Sequence, residues 1–477
     1  MFVKNKRPRS KVKKLTTVLM KIAVFAEKAL DNAASSFDTA AVPASRRLTY
    51  FGEIAWVAIA QGAAFLGGLA TVKVAATVLG PAEYGKLSVS LAIIGIAQVC
   101  FYGAISQTAM RFLAYARVHN LLKDYKLSLV KLAGFAAAFI VLAWGLAAVF
   151  GLQRLVPVPA AILVPYAIVS GALMVAIAVC NAARERDVVG IAQTAEAVIR
   201  PLLIIAVTYL TISTATHTLV AYLISTSLVG LIIVALWTAK DGKVQNSDRD
   251  LPGGKGVTGA HLTRTMTTFA APFVVFAVLG VLGSHGERLL LAKWATWSEI
   301  GSYALMAQLV MAPNVLFTAV INQFYFPLVF QFDPGGTRKA TRGFRLYLLI
   351  SILGVTAITA VIALSAPLLI PLLSTRAFLG HEHLIWFLGL SAGLFCIAQQ
   401  LVLPGLRLNR PAVYMPAKLV HSLALLGPSL ILVPTWGIDG MGVASLAASV
   451  TYLSAMLLAN AWLRRNPKSV SSTEVEG

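Results

Sequence analysis

Runs of about 20 or more apolar residues recur from about residue 52 to residue 463, and they constrain the fold more than any motif does. As a helix, such a run crosses roughly 30 Å of hydrocarbon. A spanning segment must satisfy its own backbone hydrogen bonds, so only helices and closed barrels qualify. The alternating apolar and polar pattern of barrel strands is absent. The pattern therefore predicts an all-α integral membrane protein. Only 12% of the residues are charged and 58% are hydrophobic, far from the roughly 25% charged expected of a soluble domain.

Twelve spans can be placed, at about 53–79, 84–110, 132–151, 160–180, 190–212, 217–238, 266–292, 300–329, 345–365, 383–404, 412–434 and 439–463. Most connections are short and turn-like, such as GPAE, VPVP and FDPGG. The longest internal one is polar and Gly-rich and falls at the midpoint of the spans. The expected organisation is a basic cytoplasmic leader over 1–49, a six-helix bundle over 50–238, a cytoplasmic linker over 239–265, a second six-helix bundle over 266–463 and a cytoplasmic tail over 464–477.

The formal net charge of +21 is a topology signal. If the N-terminus is inside, 32 of the 40 Lys and Arg residues fall on the inner side of the membrane. That is the positive-inside bias, and it puts both termini in the cytoplasm. It also removes the reason to invoke nucleic acid as a partner. The leader is expected to hold an amphipathic surface helix near 15–30 that lies on anionic lipid. The three cysteines, Cys100, Cys180 and Cys396, all lie within spans, and no Cys/His metal spacing occurs.

An offset of 216 residues lays EYGKLSVSLAIIGIAQVCFYGAISQTAMRF, from residue 83, over EIGSYALMAQLVMAPNVLFTAVINQFYFPL, from residue 299. Glu83 meets Glu299, Gly85 meets Gly301, Val99 meets Val315, Phe101 meets Phe317, Ile105 meets Ile321 and Gln107 meets Gln323. The match falls at the second span of each group of six, and the polar GAISQ and AVINQ segments share a depth. Two parallel six-span halves describe a transporter with its substrate site where the halves meet.

The segments LGPAEYGKLSVS (79–90), ERLLLAKWATWSEIGSYALMAQL (287–309) and GIDGMGVASLAAS (437–449) resemble the Wzx-like polysaccharide flippases, oligosaccharide translocases of the multidrug/oligosaccharidyl-lipid/polysaccharide (MOP) superfamily. The likeness covers roughly residues 45–465. One departure is Glu287, where the family more often has Asp. The resemblance implies about 12 helices in two related bundles around a central cavity, alternating between inward-open and outward-open states. It also implies a lipid-linked oligosaccharide as cargo, most often an undecaprenyl-diphosphate repeat unit moved across the bacterial inner membrane for exopolysaccharide, capsule or O-antigen (lipopolysaccharide) synthesis. Membrane lipids would be its surroundings, and a polysaccharide polymerase and glycosyltransferases its possible protein partners.

Intramembrane charge costs about 2.5–3.5 kcal/mol per residue at a helix centre on insertion scales, so each such residue is a functional candidate. Lys73 and Arg288 lie at about the same depth in spans one and seven. Facing a shared cavity they could bind a diphosphate, Arg as a fork and Lys as a point charge. Both are also long enough to snorkel to the interface. Arg200, followed by Pro201, lies about ten residues into span five, with Glu196 one turn earlier. An intrahelical ion pair is the plain reading and cavity lining the functional one. Glu196 and Glu287 are candidate coupling carboxylates, and His285 could titrate near neutral pH. Lys293 beside Trp294 and Trp297 reads as an interfacial anchor. Gln107, Asn322 and Gln323, with Gln61 and Gln98, could bond sugar hydroxyls or serve as interhelical glue.

No catalytic or metal constellation, phosphate-binding GKS/GKT loop or nucleotide-binding domain is present, so the expectation is a non-enzyme without cofactor. A diphosphate moving outward across an inside-negative membrane is favoured by about 2.3 kcal/mol per charge per 100 mV. The alternatives are a multidrug exporter of the same superfamily, which would want lumenal carboxylates, and a membrane polymerase or ligase, which would want a large outer loop.

Overall fold

The computed structural model describes residues 44–151, 156–244, 259–331, 337–407 and 411–465. The expected leader helix near 15–30, the middle of the central linker and the tail from 466 lie outside the described residues. The chain divides into two compact units, Met1–Ala55 and Trp56–Gly477. The first is described only from Ala44, where the opening helix begins; the helical bundle belongs to the second.

The elements are α1 (Ala44–Ala97), a π-turn (Gln98–Tyr102), α2 (Gly103–Val118), α3 (Leu122–Val149), α4 (Ala160–Ala182), α5 (Arg186–Leu210), α6 (Ala215–Val244), α7 (Gly259–Trp294), α8 (Trp297–Gln331), α9 (Thr337–Leu373), α10 (Leu384–Gln400), the short α11 (Leu403–Arg407) and α12 (Met415–Arg465). No strand occurs among the described residues. Nine helices among them are long and apolar enough to cross a membrane. Two of these, Ile59–Val118 and Met415–Leu463, are hairpins of two spans each, and α7 supplies one more, so the described helices account for twelve spans.

Each hairpin folds at a glycine. Gly80 has φ 66° and Gly437 φ 56°, a left-handed conformation that costs a residue without Cβ little. Pro81 then opens the next helix, where its missing N–H is no loss and its fixed φ suits the first turn.

The helices overrun the expected spans at the end carrying the basic loops. Span two continues to Val118 and span three begins at Leu122, so the polar stretch around 111–131 is almost all helix, turned at Asn120 with φ 56°. Span nine starts at Thr337 rather than near 345, and span six runs to Val244, into the expected linker. Hydropathy marks only the part of a helix that lies in hydrocarbon. Leu, Lys and Arg go on favouring helix beyond it.

At the opposite end, where the Gly80 hairpin turns, the two halves meet in a reciprocal contact. A Cβ on Gly85 would lie 2.0 Å from the Trp297 carbonyl oxygen, and one on Gly301 would lie 1.9 Å from the Pro81 carbonyl oxygen. Pro81 and Trp297, like Gly85 and Gly301, are 216 residues apart. Residue i touches j′ and j touches i′, the signature of a twofold contact. The sequence offset is thus also the offset of the packing. Gly85 and Gly301, having no side chain, let two backbones touch.

Candidate functional site between the two halves

In the first half, Arg200 and Glu196 form the expected ion pair one turn apart on α5. The guanidinium also lies 4.8 Å over the ring of Tyr222 in α6. Tyr166 of α4 meets Tyr222 edge-on, with centroids 6.0 Å apart. The Arg200 Nε is buried and has no hydrogen-bond partner among the described residues. Three helices of one half thus surround a cation whose donors are not all used.

In the second half, Glu287 of α7 is held by two hydroxyls. Tyr303 Oη of α8 donates to its Oε2 at 2.6 Å, and Ser445 Oγ of α12 donates to its Oε1 at 2.8 Å. Tyr303 is fully buried and Ser445 nearly so. Bonds to a charged acceptor are worth about 1.5–3 kcal/mol each, which is how a carboxylate is tolerated there.

Arg288, the next residue, points about 100° around the helix from Glu287. It comes within electrostatic reach of Tyr84, in span two of the other half. Tyr84 in turn meets Phe378 edge-on at 5.9 Å, and Phe378 belongs to a 3-10 turn, Arg376–Phe378, between spans nine and ten. One turn before Arg288, the His285 ring lies against Gly95 of span two, within 2.9 Å of where a Cβ would stand. Arg288 therefore sits at the seam of the halves, below the glycine crossing.

The other candidates are more scattered. Lys73 is exposed on span one and makes no ion pair among the described residues. Lys293 lies 4.6 Å over the ring of Trp294. Gln107 and Gln61 are exposed, whereas Gln98 donates to Ser170 of α4. Asn322 and Gln323 lie in α8, with side chains outside the described residues. No group of three or more His, Cys, Asp or Glu able to hold a metal ion occurs among the described residues.

Sequence reasoning passed over Tyr84, Tyr222, Tyr303 and Ser445. Tyr84 stood inside the hairpin motif, beside Glu83. Nothing in the spacing ties Tyr303 or Ser445 to Glu287, because they come from other helices.

The hairpin at Gly80 adds one structural tie. Glu83 pairs with Lys86 at 2.6 Å and accepts the Ala215 amide at 2.8 Å, so it pins the start of α6.

Twelve spans in two related halves, with Arg288 where the halves meet, make an all-helical membrane protein whose fold is also that of solved flippases and multidrug transporters. The chain covers 86% of its length on the structure titled "Lipid II flippase MurJ, inward closed conformation", and 87% of that chain, with TM-score 0.64 and 12% identity. A MATE transporter in a bent conformation matches with TM-score 0.58 and 15% identity over 87% of this chain and 94% of that one. A eukaryotic MATE transporter matches with TM-score 0.56 and 11% identity over 88% and 98%. None of the curated proteins matches in sequence. Residues 52–333 match the family described as "Polysaccharide biosynthesis protein", and the chain belongs to that family.

Proposed function

We propose that this protein is a flippase that carries a polyprenyl-diphosphate-linked oligosaccharide repeat unit across the bacterial inner membrane, by alternating access, for exopolysaccharide, capsule or O-antigen synthesis. The observation that carries the reading is Arg288 on the stretch of α7 whose His285 packs against Gly95 of the other half, in a chain of a polysaccharide biosynthesis family. Arg288 and Arg200 would hold the diphosphate, with Lys73 at the same depth in span one. Gln107, Asn322 and Gln323 would meet sugar hydroxyls. Both termini would lie in the cytoplasm, and Glu196 and Glu287 are the candidate coupling carboxylates.

The lipid II flippase named among the structural neighbours supports a lipid-linked cargo. A multidrug exporter, suggested by the MATE neighbours, is favoured less. A cationic drug needs a carboxylate, and here Glu196 is paired with Arg200 while Glu287 is held by Tyr303 and Ser445.

The test is direct. Sealed vesicles holding the protein should change the sidedness of an undecaprenyl-diphosphate oligosaccharide relative to empty vesicles, and Arg288→Ala should lose most of that difference. Vesicles with and without the protein behaving alike would sink the proposal.

A further inference from the structure

The second span of each half carries a helix-weakening feature at the same repeat position, a π-turn in span two and a proline inside the continuous helix of span eight. In span two the α-helix gives way to the π-turn Gln98–Tyr102. A π-turn inserts one residue into the ladder and is a common site of bending. Its first residue leaves the helix surface: the Gln98 amide donates to Ser170 Oγ on α4. At its other end the Tyr102 hydroxyl is buried without a partner among the described residues. One turn on, Ser106 Oγ donates back to the Tyr102 carbonyl at 2.8 Å, a bond that bends helices.

The counterpart of Gln98 is Asn314, 216 residues later in span eight. Pro313 precedes it, inside α8, where proline has no amide to give and its ring crowds the carbonyl one turn before. The fully buried Asn314 side chain donates to the Val310 carbonyl at 2.9 Å, and its own Oδ1 has no partner among the described residues. The Thr318 hydroxyl bonds back to the Asn314 carbonyl. Different residues thus weaken the same level of the repeat.

Each break lies thirteen residues below the glycine of the same span, Gly85 or Gly301. At 1.5 Å per residue that is about 20 Å. From glycine to break, each span is an unbroken stretch of helix. The glycine ends touch each other at the outer face, and Tyr84, next to Gly85, is packed on Phe378.

We propose that the outer parts of spans two and eight are a pair of symmetry-related levers, which bend at Gln98–Tyr102 and at Pro313–Asn314 and so part the Gly85–Gly301 crossing to open the outer face. The buried groups left without partners at the two breaks, Tyr102 Oη and Asn314 Oδ1, are there because the bent state supplies what the straight one lacks. An unpartnered buried polar group is unfavourable, which lowers the cost of leaving the present arrangement. The proposal rests on the alternating-access part of the function above, but it makes no use of the cargo.

The experiment is a distance measurement. Ala82 and Ser298 are exposed repeat mates at the starts of the two levers, and Cys100, Cys180 and Cys396 are buried, so Ala82→Cys with Ser298→Cys takes spin labels selectively. In lipid nanodiscs, electron–electron resonance should give a short distance for the crossed state and a longer one for the open state. Deleting Val99, which restores a continuous α-helix, together with Pro313→Ala and Asn314→Leu, should abolish the long-distance population. If the deletion prevents folding, Pro313→Ala with Asn314→Leu alone should still reduce it. A long population that survives these changes, or is missing from the parent protein, overturns the levers. Because no cargo is present, that result would leave the flippase reading standing.

Discussion

The two hairpins Gly80-Pro-Ala-Glu83 and Thr296-Trp-Ser-Glu299 occupy the same place in the repeat yet close their turns differently. In the second, Thr296 caps α8: the Glu299 amide bonds its hydroxyl, and Glu299 Oε2 accepts the Thr296 amide at 2.8 Å. This is a capping box, complete within its own turn. In the first, the residue at Thr296's position is Gly80, which has no hydroxyl and turns left-handed. Glu83 then has no local partner of that kind and reaches across to the Ala215 amide. A duplicated motif can keep its backbone path while one copy trades local closure for a tie to a third helix.

The largest expected effect comes from abolishing what the hairpins share. Gly85→Leu or Gly301→Leu places atoms where a backbone carbonyl of the other half now lies. A loss of about 3 kcal/mol is expected, read as a fall in thermal unfolding midpoint in detergent. The milder Gly85→Ala and Gly301→Ala should be strongly non-additive in a double-mutant cycle, since each already separates the same pair of backbones.

Next comes the asymmetry deeper in the halves. Tyr303→Phe strips Glu287 of one donor and should cost about 2 kcal/mol, with Ser445→Ala somewhat less, by the same melting measurement. The first half has Thr71 at the position of Glu287, so Thr71→Val is expected to move the midpoint far less.

The hairpins themselves can then be told apart by hydrogen exchange. Thr296→Ala removes a cap worth about 1 kcal/mol and should speed exchange only at the start of α8. Glu83→Gln, the smallest change at about 0.5 kcal/mol, should instead speed exchange at the start of α6, more than 130 residues away in sequence. If Glu83→Gln acted only on its own turn, the contrast between the hairpins would collapse.

The helices, the two halves and the repeat offset were legible because apolar length and glycine placement are properties of a single segment. The hairpin glycines were legible too, since Gly-Pro after an apolar run has few other uses. The Arg200–Glu196 pair could be read from one helix face. What stayed hidden was lateral: His285 against Gly95, and Tyr303 and Ser445 on Glu287, join helices whose neighbourhood only the packed bundle fixes. Helix ends were misplaced for a related reason, because polar residues past the hydrocarbon continue the helix while hydropathy falls.

The hydrogen bonding of Glu287 also has a bearing on how the chain is made. Its two hydroxyl partners reside in spans eight and twelve, and span twelve is the last of the twelve to leave the ribosome. Until that hairpin is synthesised, span seven carries a carboxylate in the membrane with half its hydrogen bonding missing. Maturation of the second half therefore finishes from its C-terminus, and a chain truncated before Ser445 would leave span seven the least settled helix in the membrane.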